Sequence, residues 1–122
     1  MIEHANAQHT IILGFSSGTA VGRSAYESRM KKEFGRYFIS LREYLAHPIY
    51  NGTEIVSCWG LADQGLEPGK KEYNGTTYDA LTEIESGTVP HQILADSVHY
   101  TNGTKTVIGN MLYKKCCELN IF

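Results

Sequence analysis

The chain has no long block of like charge, no basic stripe and no long apolar run. Its formal net charge is −2, and both signs are interspersed among the 20% of residues that are charged. This pattern disfavours nucleic-acid partners and charged interaction tails. The apolar runs are far shorter than a membrane span, and residues 1–6 do not form a signal-peptide pattern. We therefore expect a soluble chain without a membrane partner, and the sequence leaves its location open.

Cysteine is also scarce. The three cysteines are Cys58, Cys116 and Cys117, an odd number with the last two adjacent. A zinc site needs paired spacing with further cysteines or histidines, and that spacing is missing. We interpret all three as reduced small hydrophobic residues and expect neither a metal nor an organic cofactor.

Short apolar runs alternate with helical patterns along the first half of the chain. Residues 10–13 fit a buried parallel strand, and residues 37–40 predict a second strand. Between them, Ser24 as N-cap and Glu27 as its capping-box partner predict a helix that ends at Gly35. This alternation is typical of an α/β fold.

Residues 46–78 form an irregular, loop-rich segment. Turn signals stand at Pro68-Gly69 and Asn74-Gly75, and Asn51-Gly52 between two apolar runs predicts a hairpin. Loop-rich segments often border an active site, so Trp59 is a candidate substrate-binding aromatic. The alternative is that Trp59 packs this segment onto the body of the domain.

The last third of the chain predicts two helices. The first covers residues 79–85 and is followed by an extended segment over residues 90–95. The second opens at Gly103, with one buried face at three- and four-residue spacing. The members of that face are Val107, Ile108, Met111, Leu112, Cys116 and Leu119.

The residues that carry the clearest chemistry are Asp96 and His99, just before this helix. An imidazole can take a proton from a nucleophile, while a carboxylate fixes its tautomer and stabilises the imidazolium. Because the two residues are three positions apart in a loop, the carboxylate can fold back onto the ring. His91 could line the same site, although a solvated loop histidine is the plainer interpretation.

The context of this pair resembles a known family. The run from Gly87 to Tyr113, GTVPHQILADSVHYTNGTKTVIGNMLY, looks like the last block of the SGNH (GDSL-type) hydrolases, where Asp-x-x-His precedes the final helix. The runs IILGFSSGTA from Ile11 and FGRYFISLREYL from Phe34 are similar to SGNH-like domains of phage and bacterial surface proteins. The resemblance covers the chain from about Thr10 to Phe122.

The resemblance implies a partial three-layer α/β/α sandwich of flavodoxin-like type with a mainly parallel sheet. Relative to the family pattern, the loop-rich residues 46–78 are an insertion. The family's Gly-Asp-Ser nucleophile block and its Gly-x-Asn-Asp block do not occur in this sequence. We therefore interpret residues 1–122 as one domain, the C-terminal half of a larger SGNH-like domain. Half a sheet leaves an unpaired edge, so we expect it to pair with an upstream half-domain or to self-associate.

A second serine-hydrolase pattern lies at Gly14-Phe-Ser16-Ser-Gly18, directly after the first predicted strand. Gly-x-Ser-x-Gly forms a nucleophile elbow in α/β-hydrolases. Ser16 would then complete a triad with Asp96 and His99 inside this chain. Against this stands the late start of the following helix, near Ser24.

Three hypotheses of function follow. The first, from the resemblance, is a serine esterase fragment acting on small esters or acetylated carbohydrates, with His99 as base, Asp96 orienting it, and little activity alone. The second is a non-catalytic structural or binding module of a phage tail or cell-surface assembly. The third is a small self-contained hydrolase that uses Ser16.

Overall fold

The computed structural model describes residues 10–14, 20–96 and 98–119. Ser16, predicted as a candidate nucleophile, lies outside these ranges. In chain order the elements are β1 (Ile12–Leu13), α1 (Ala20–Phe34), a 3₁₀ turn (Gly35–Tyr37), β2 (Phe38–Ile39), α2 (Leu41–Leu45), β3 (Pro48–Asn51), β4 (Glu54–Cys58), α3 (Trp59–Ala62), β5 (Lys70–Tyr73), β6 (Thr76–Asp79), α4 (Ala80–Glu85), a second 3₁₀ turn (His91–Ile93) and α5 (Asn102–Glu118).

The strands of the described ranges form three separate two-stranded sheets. β1 and β2 run parallel, with Ile12 opposite Phe38 and Leu13 opposite Ile39. β3–β4 and β5–β6 are antiparallel hairpins. The chain is thus mixed α/β, and the prediction of a mainly parallel three-layer sandwich is wrong. The parallel pair is only two residues long, and most of the strand residues lie in the hairpins of the predicted insertion.

Glycine and asparagine in left-handed conformations explain the hairpins. The antiparallel pairing of Asn51 with Glu54 confirms the hairpin predicted at Asn51-Gly52, and Gly52 in its turn has φ +65°. At the second turn Asn74 and Gly75 have φ of 50° and 78°. Tight hairpin turns of type I′ need positive φ at both central residues, and Asn-Gly meets that need at little steric cost. Sequence reasoning identified Asn74-Gly75 as a turn without assigning the strands on either side.

Helix α1 begins at Ala20, one turn before the predicted N-cap. Ser24 is therefore inside the helix, where its hydroxyl donates to the carbonyl of Ala20. The capping-box prediction for Ser24 and Glu27 is wrong because Glu27 is drawn into a long-range contact. Its side chain is buried, 1% exposed, against α2.

Glu27 forms a bidentate ion pair with Arg42 of α2. Arg42 Nε donates to Oε2 at 2.8 Å and Nη2 to Oε1 at 2.5 Å, while the Ser40 hydroxyl donates to Oε2 at 2.7 Å. The remaining guanidinium nitrogen, Nη1, donates to the carbonyl of Gly87 at 2.7 Å. Burial alone would raise the pKa of Glu27, but the hydrogen bonds from Arg42 and Ser40 outweigh it and lower that pKa.

The apolar core lies between α2, α3, α4, the second 3₁₀ turn and α5. Its centre is formed by Leu45, Cys58, Leu61 and Ile93, none of which is exposed. The predicted buried face of α5 is confirmed at Val107, Ile108 and Leu119, with Met111 and Leu112 packed partly buried against the core. The segment predicted as extended over residues 90–95 instead contains a 3₁₀ turn.

None of the helices in the described ranges is long and apolar enough to cross a membrane. The longest, α5, has 17 residues and carries three lysines and a glutamate.

Replacing Glu27 by Gln should lower the free energy of unfolding by about 3 kcal/mol at neutral pH, because it leaves a buried guanidinium without its counter-charge. The folded-state pKa of Glu27 lies below its ordinary 4.5, so the pair stabilises fully above that pH and is lost as the pH falls through the folded-state pKa. Urea unfolding at neutral and acidic pH measures both effects.

A matched control joins the same two helices. Lys31 of α1 and Glu43 of α2 form an exposed ion pair with an N–O distance of 2.7 Å. Lys31→Met should cost only about 0.5 kcal/mol, since solvent screens exposed pairs. If Glu27→Gln and Lys31→Met lowered the free energy of unfolding equally, the buried pair would not stabilise the fold more than the exposed one.

Candidate functional site

Asp96 and His99 lie in contact in a short turn before α5. His99 Nδ1 is 2.6 Å from Asp96 Oδ2. The other carboxylate oxygen, Oδ1, accepts the backbone N–H groups of Val98 and His99, each at 2.7 Å. The carboxylate is therefore held by backbone donors in the orientation that pairs it with the ring. The structure brings together the two residues that the sequence predicted as a dyad.

These backbone donors also stabilise the ionised form of Asp96. The N–H groups of Val98 and His99, with the ring of His99 next, lower the pKa of Asp96 from 3.8 to about 2. Asp96 is thus ionised at neutral pH and acts as an acceptor, so the proton between the two side chains belongs to Nδ1. Nε2 is then the nitrogen that is free to take a proton. The side chain of His99 is 76% exposed, so this nitrogen is accessible from outside.

The two ends of the turn are tied together by backbone hydrogen bonds. Ala95 N–H donates to the carbonyl of His99 at 2.7 Å, and Leu94 pairs with Tyr100 in an antiparallel bridge. Thr101 N–H donates to the carbonyl of Ile93 at 3.2 Å. The segment that precedes Asp96 and the segment that connects His99 to α5 therefore lie side by side.

Thr104, in the first turn of α5, anchors this arrangement to the body. It is fully buried, and its hydroxyl donates to the Ile93 carbonyl at 2.9 Å. The side-chain amide of Gln64 donates to the same hydroxyl at 2.9 Å and to the carbonyl of Gly60 at 2.9 Å. Thr101 caps the helix, its hydroxyl accepting from Thr104 N–H. One threonine thus connects the dyad's turn with the segment after α3.

The β5–β6 hairpin also holds this region. Lys71 Nζ donates to the carbonyl of Leu94, two residues before Asp96. Gln92 accepts the N–H of Gly69 at 2.9 Å and donates to the carbonyl of Glu67 at 2.8 Å. Residues 46–78, predicted to be an insertion that borders the site, therefore form hydrogen bonds with the segment that leads to Asp96.

Trp59, predicted as a substrate-binding residue, lies away from the Asp96–His99 dyad. It opens α3 and stacks on His47, with ring centroids 3.8 Å apart, and its ring lies 5.1 Å from that of Tyr44. It is 39% exposed and lines a cleft of about 440 Å³ to which neither Asp96 nor His99 contributes. The structure thus does not bring Trp59 into contact with the dyad. Ser16, the third predicted catalytic residue, lies outside the described residues.

A second carboxylate–histidine pair was missed by sequence reasoning. His91 Nδ1 is 2.5 Å from Glu83 Oε1, and His91 N–H donates to Oε2 at 3.0 Å. The ring of Tyr78 stacks on His91 at 3.6 Å. Both partners are largely buried, with 17% and 11% of their side chains exposed, so the interpretation of His91 as a solvated loop residue is wrong. The eight-residue separation and the intervening turn carry no motif that would have revealed the pair.

In the described part of the chain, no group of three or more His, Cys, Asp or Glu residues is placed to hold a metal ion. The candidate site is therefore the Asp96–His99 dyad. No protein-family model, curated protein or solved structure matches this chain significantly.

The carboxyl of Asp96 should titrate with a midpoint at about pH 2 when followed by carbon NMR. In His99→Ala the pKa should rise but stay below the ordinary 3.8, because the backbone donors, its largest cause, remain. His47→Ala, which leaves the turn untouched, is the control. A native midpoint near 3.8 would contradict this geometry.

Thr104→Val should lower the free energy of unfolding by about 1–3 kcal/mol, because it leaves the Ile93 carbonyl and the Gln64 amide without their shared partner. Thr106→Val is the matched control on the same helix, since the exposed Thr106 hydroxyl donates to the Asn102 carbonyl of its own helix. Urea denaturation compares the two. Equal effects would show that the buried network does not stabilise the turn.

Proposed function

We propose that this chain supplies the base and the orienting carboxylate of an SGNH-type serine esterase. The observation that carries the proposal is the Asp96–His99 geometry: an ionised carboxylate, fixed by two backbone N–H groups, that contacts Nδ1 and leaves Nε2 accessible. This is the arrangement that activates a serine hydroxyl in hydrolytic triads. Its place directly before the last long helix agrees with the resemblance that suggested the family.

In the proposed reaction, His99 Nε2 takes the proton of a serine hydroxyl as the serine oxygen bonds to the ester carbonyl carbon. The tetrahedral intermediate collapses, the C–O bond to the alcohol breaks, and His99 returns the proton to the departing alcohol. Water then attacks the acyl-serine, again through His99, and releases the acid. Asp96 stays ionised and stabilises the imidazolium throughout.

The serine belongs, in this proposal, to a segment upstream of β1. The hydrogen bonds of His99 within the described residues go to Asp96 and to the backbone of Ala95, and none goes to a hydroxyl group. Within the described ranges β1 pairs only with β2, and the proposal places a strand of the upstream half-domain on its other edge. Leu13 of β1 is 42% exposed, as expected for a strand that gains a neighbour.

The substrate class follows from the resemblance and from the exposure of His99. A dyad on the outside of the domain suits an ester group that projects from a larger molecule, such as an acetyl group on a carbohydrate. No cofactor takes part in the proposed reaction.

The alternative is a non-catalytic module of a phage tail or surface assembly. The observation that favours it is the same exposure, because catalytic groups more commonly lie in clefts that exclude water. It predicts that no serine becomes reactive in any context.

A fluorophosphonate probe tests the proposal. We would treat this chain, and any longer natural polypeptide that contains it, with the probe and map the adducts by mass spectrometry. We expect no stoichiometric adduct on this chain alone. In the longer polypeptide we expect an adduct on an upstream serine whose rate falls by at least about 10³-fold in His99→Ala.

The matched controls are the other histidines. His47→Ala and His91→Ala should leave labelling intact, and the second controls for loss of a carboxylate–histidine pair as such. An adduct on Ser16 that depends on His99 would replace the proposal by the self-contained hydrolase. Absence of any His99-dependent adduct would leave the non-catalytic module.

A further inference from the structure

A cleft of about 440 Å³ opens between α1, β2, α2 and α5, away from the dyad. Its volume is within the range of sites for small organic ligands. The residues that matter here are the aromatic rings of Tyr44, His47 and Trp59 and the side chains of Met111 and Lys114. Nothing in the proposed esterase reaction uses this cleft.

Three aromatic rings form one wall of the cleft. His47 lies almost parallel to Trp59, with 15° between the ring planes, and Tyr44 is tilted by 57° against Trp59. Tyr44 is fixed by its hydroxyl, which donates to Asp63 Oδ2 at 2.7 Å. His47 is exposed, so the row of rings ends in a face on which a flat ligand can stack.

The lysines that line the cleft differ in whether a carboxylate pairs with them. Lys31 is bound by both carboxylate oxygens of Glu43, at 2.8 and 2.7 Å, and Lys115 lies 3.7 Å from Glu118. Lys114 has neither an ion pair nor a side-chain hydrogen bond within the described part of the chain. The cleft thus combines an aromatic wall with one ammonium group whose charge is not compensated by a neighbour.

We propose that this cleft binds a small ligand in which a carboxylate is carried on a ring. The ring would pack against the wall of Tyr44, His47 and Trp59, and the carboxylate would accept charge-assisted hydrogen bonds from Lys114. Both a uronic acid and an aromatic acid have this chemistry. The site is independent of the esterase proposal, since it shares no residue with the Asp96–His99 dyad.

The sole tryptophan of the chain makes the test direct, because the indole N–H of Trp59 gives a single NMR signal. We would titrate the chain with D-glucuronate and, separately, with benzoate. One of the two should shift the indole signal saturably, and whichever binds more tightly identifies the ring. The neutral analogues, glucose and benzamide, should bind at least about tenfold more weakly, since they cannot pair with an ammonium group.

Lys114→Gln should weaken binding of the preferred acid by about tenfold or more. Lys105→Gln is the matched control, an exposed lysine on the same helix that does not line this cleft, and it should leave affinity unchanged. Both positions are exposed, so the variants should unfold at the same temperature as the parent chain. The proposal is overturned if neither acid shifts the signal saturably, if the neutral analogues bind equally well, or if Lys114→Gln binds as tightly as Lys105→Gln.

Discussion

The structure depends on one buried guanidinium. Arg42 joins α1 through Glu27, α2 through its own backbone, and the turn after α4 through the Gly87 carbonyl. That turn fits closely: Gly87 has φ +73°, and a Cβ there would lie 2.7 Å from the Cβ of Ala20. The parallel sheet is two residues long and cannot define the relative positions of these helices by itself. The planar guanidinium of Arg42 can define them, because its hydrogen bonds are directional and form together only when the helices and the turn are correctly placed.

The dyad relies on a different and smaller set of contacts. Its internal geometry comes from the backbone of its own turn, and its attachment comes from Thr104, Gln64 and Lys71. Two of these three belong to the segment that the sequence marked as an insertion. That segment is consequently part of the structural support of the candidate site. Its β5–β6 hairpin contacts the second 3₁₀ turn and Leu94, whereas its β3–β4 hairpin packs against α4.

Sequence reasoning succeeded where the cause of the structure is local. The Asn51-Gly52 hairpin, the buried face of α5 and the Asp96–His99 contact all arise from residues within a few positions of each other. It failed for Glu27, because a capping box and a buried ion pair use the same residue type and only the distant Arg42 decides between them. It failed for His91 because Glu83 meets it across a turn. The sheet arrangement was missed because strands of two residues carry too little pattern to specify their partners.

The short span of the dyad separates its formation from that of the rest of the fold. Asp96 and His99 are three positions apart, whereas Arg42 and Gly87 must meet across 45. Closing the longer loop costs about 2 kcal/mol more in chain entropy, and short loops also close faster. The turn that holds Asp96 and His99 can therefore form before the helices assemble around Arg42. Mutations that loosen the assembly would shift where the dyad sits while preserving the contact between its two side chains.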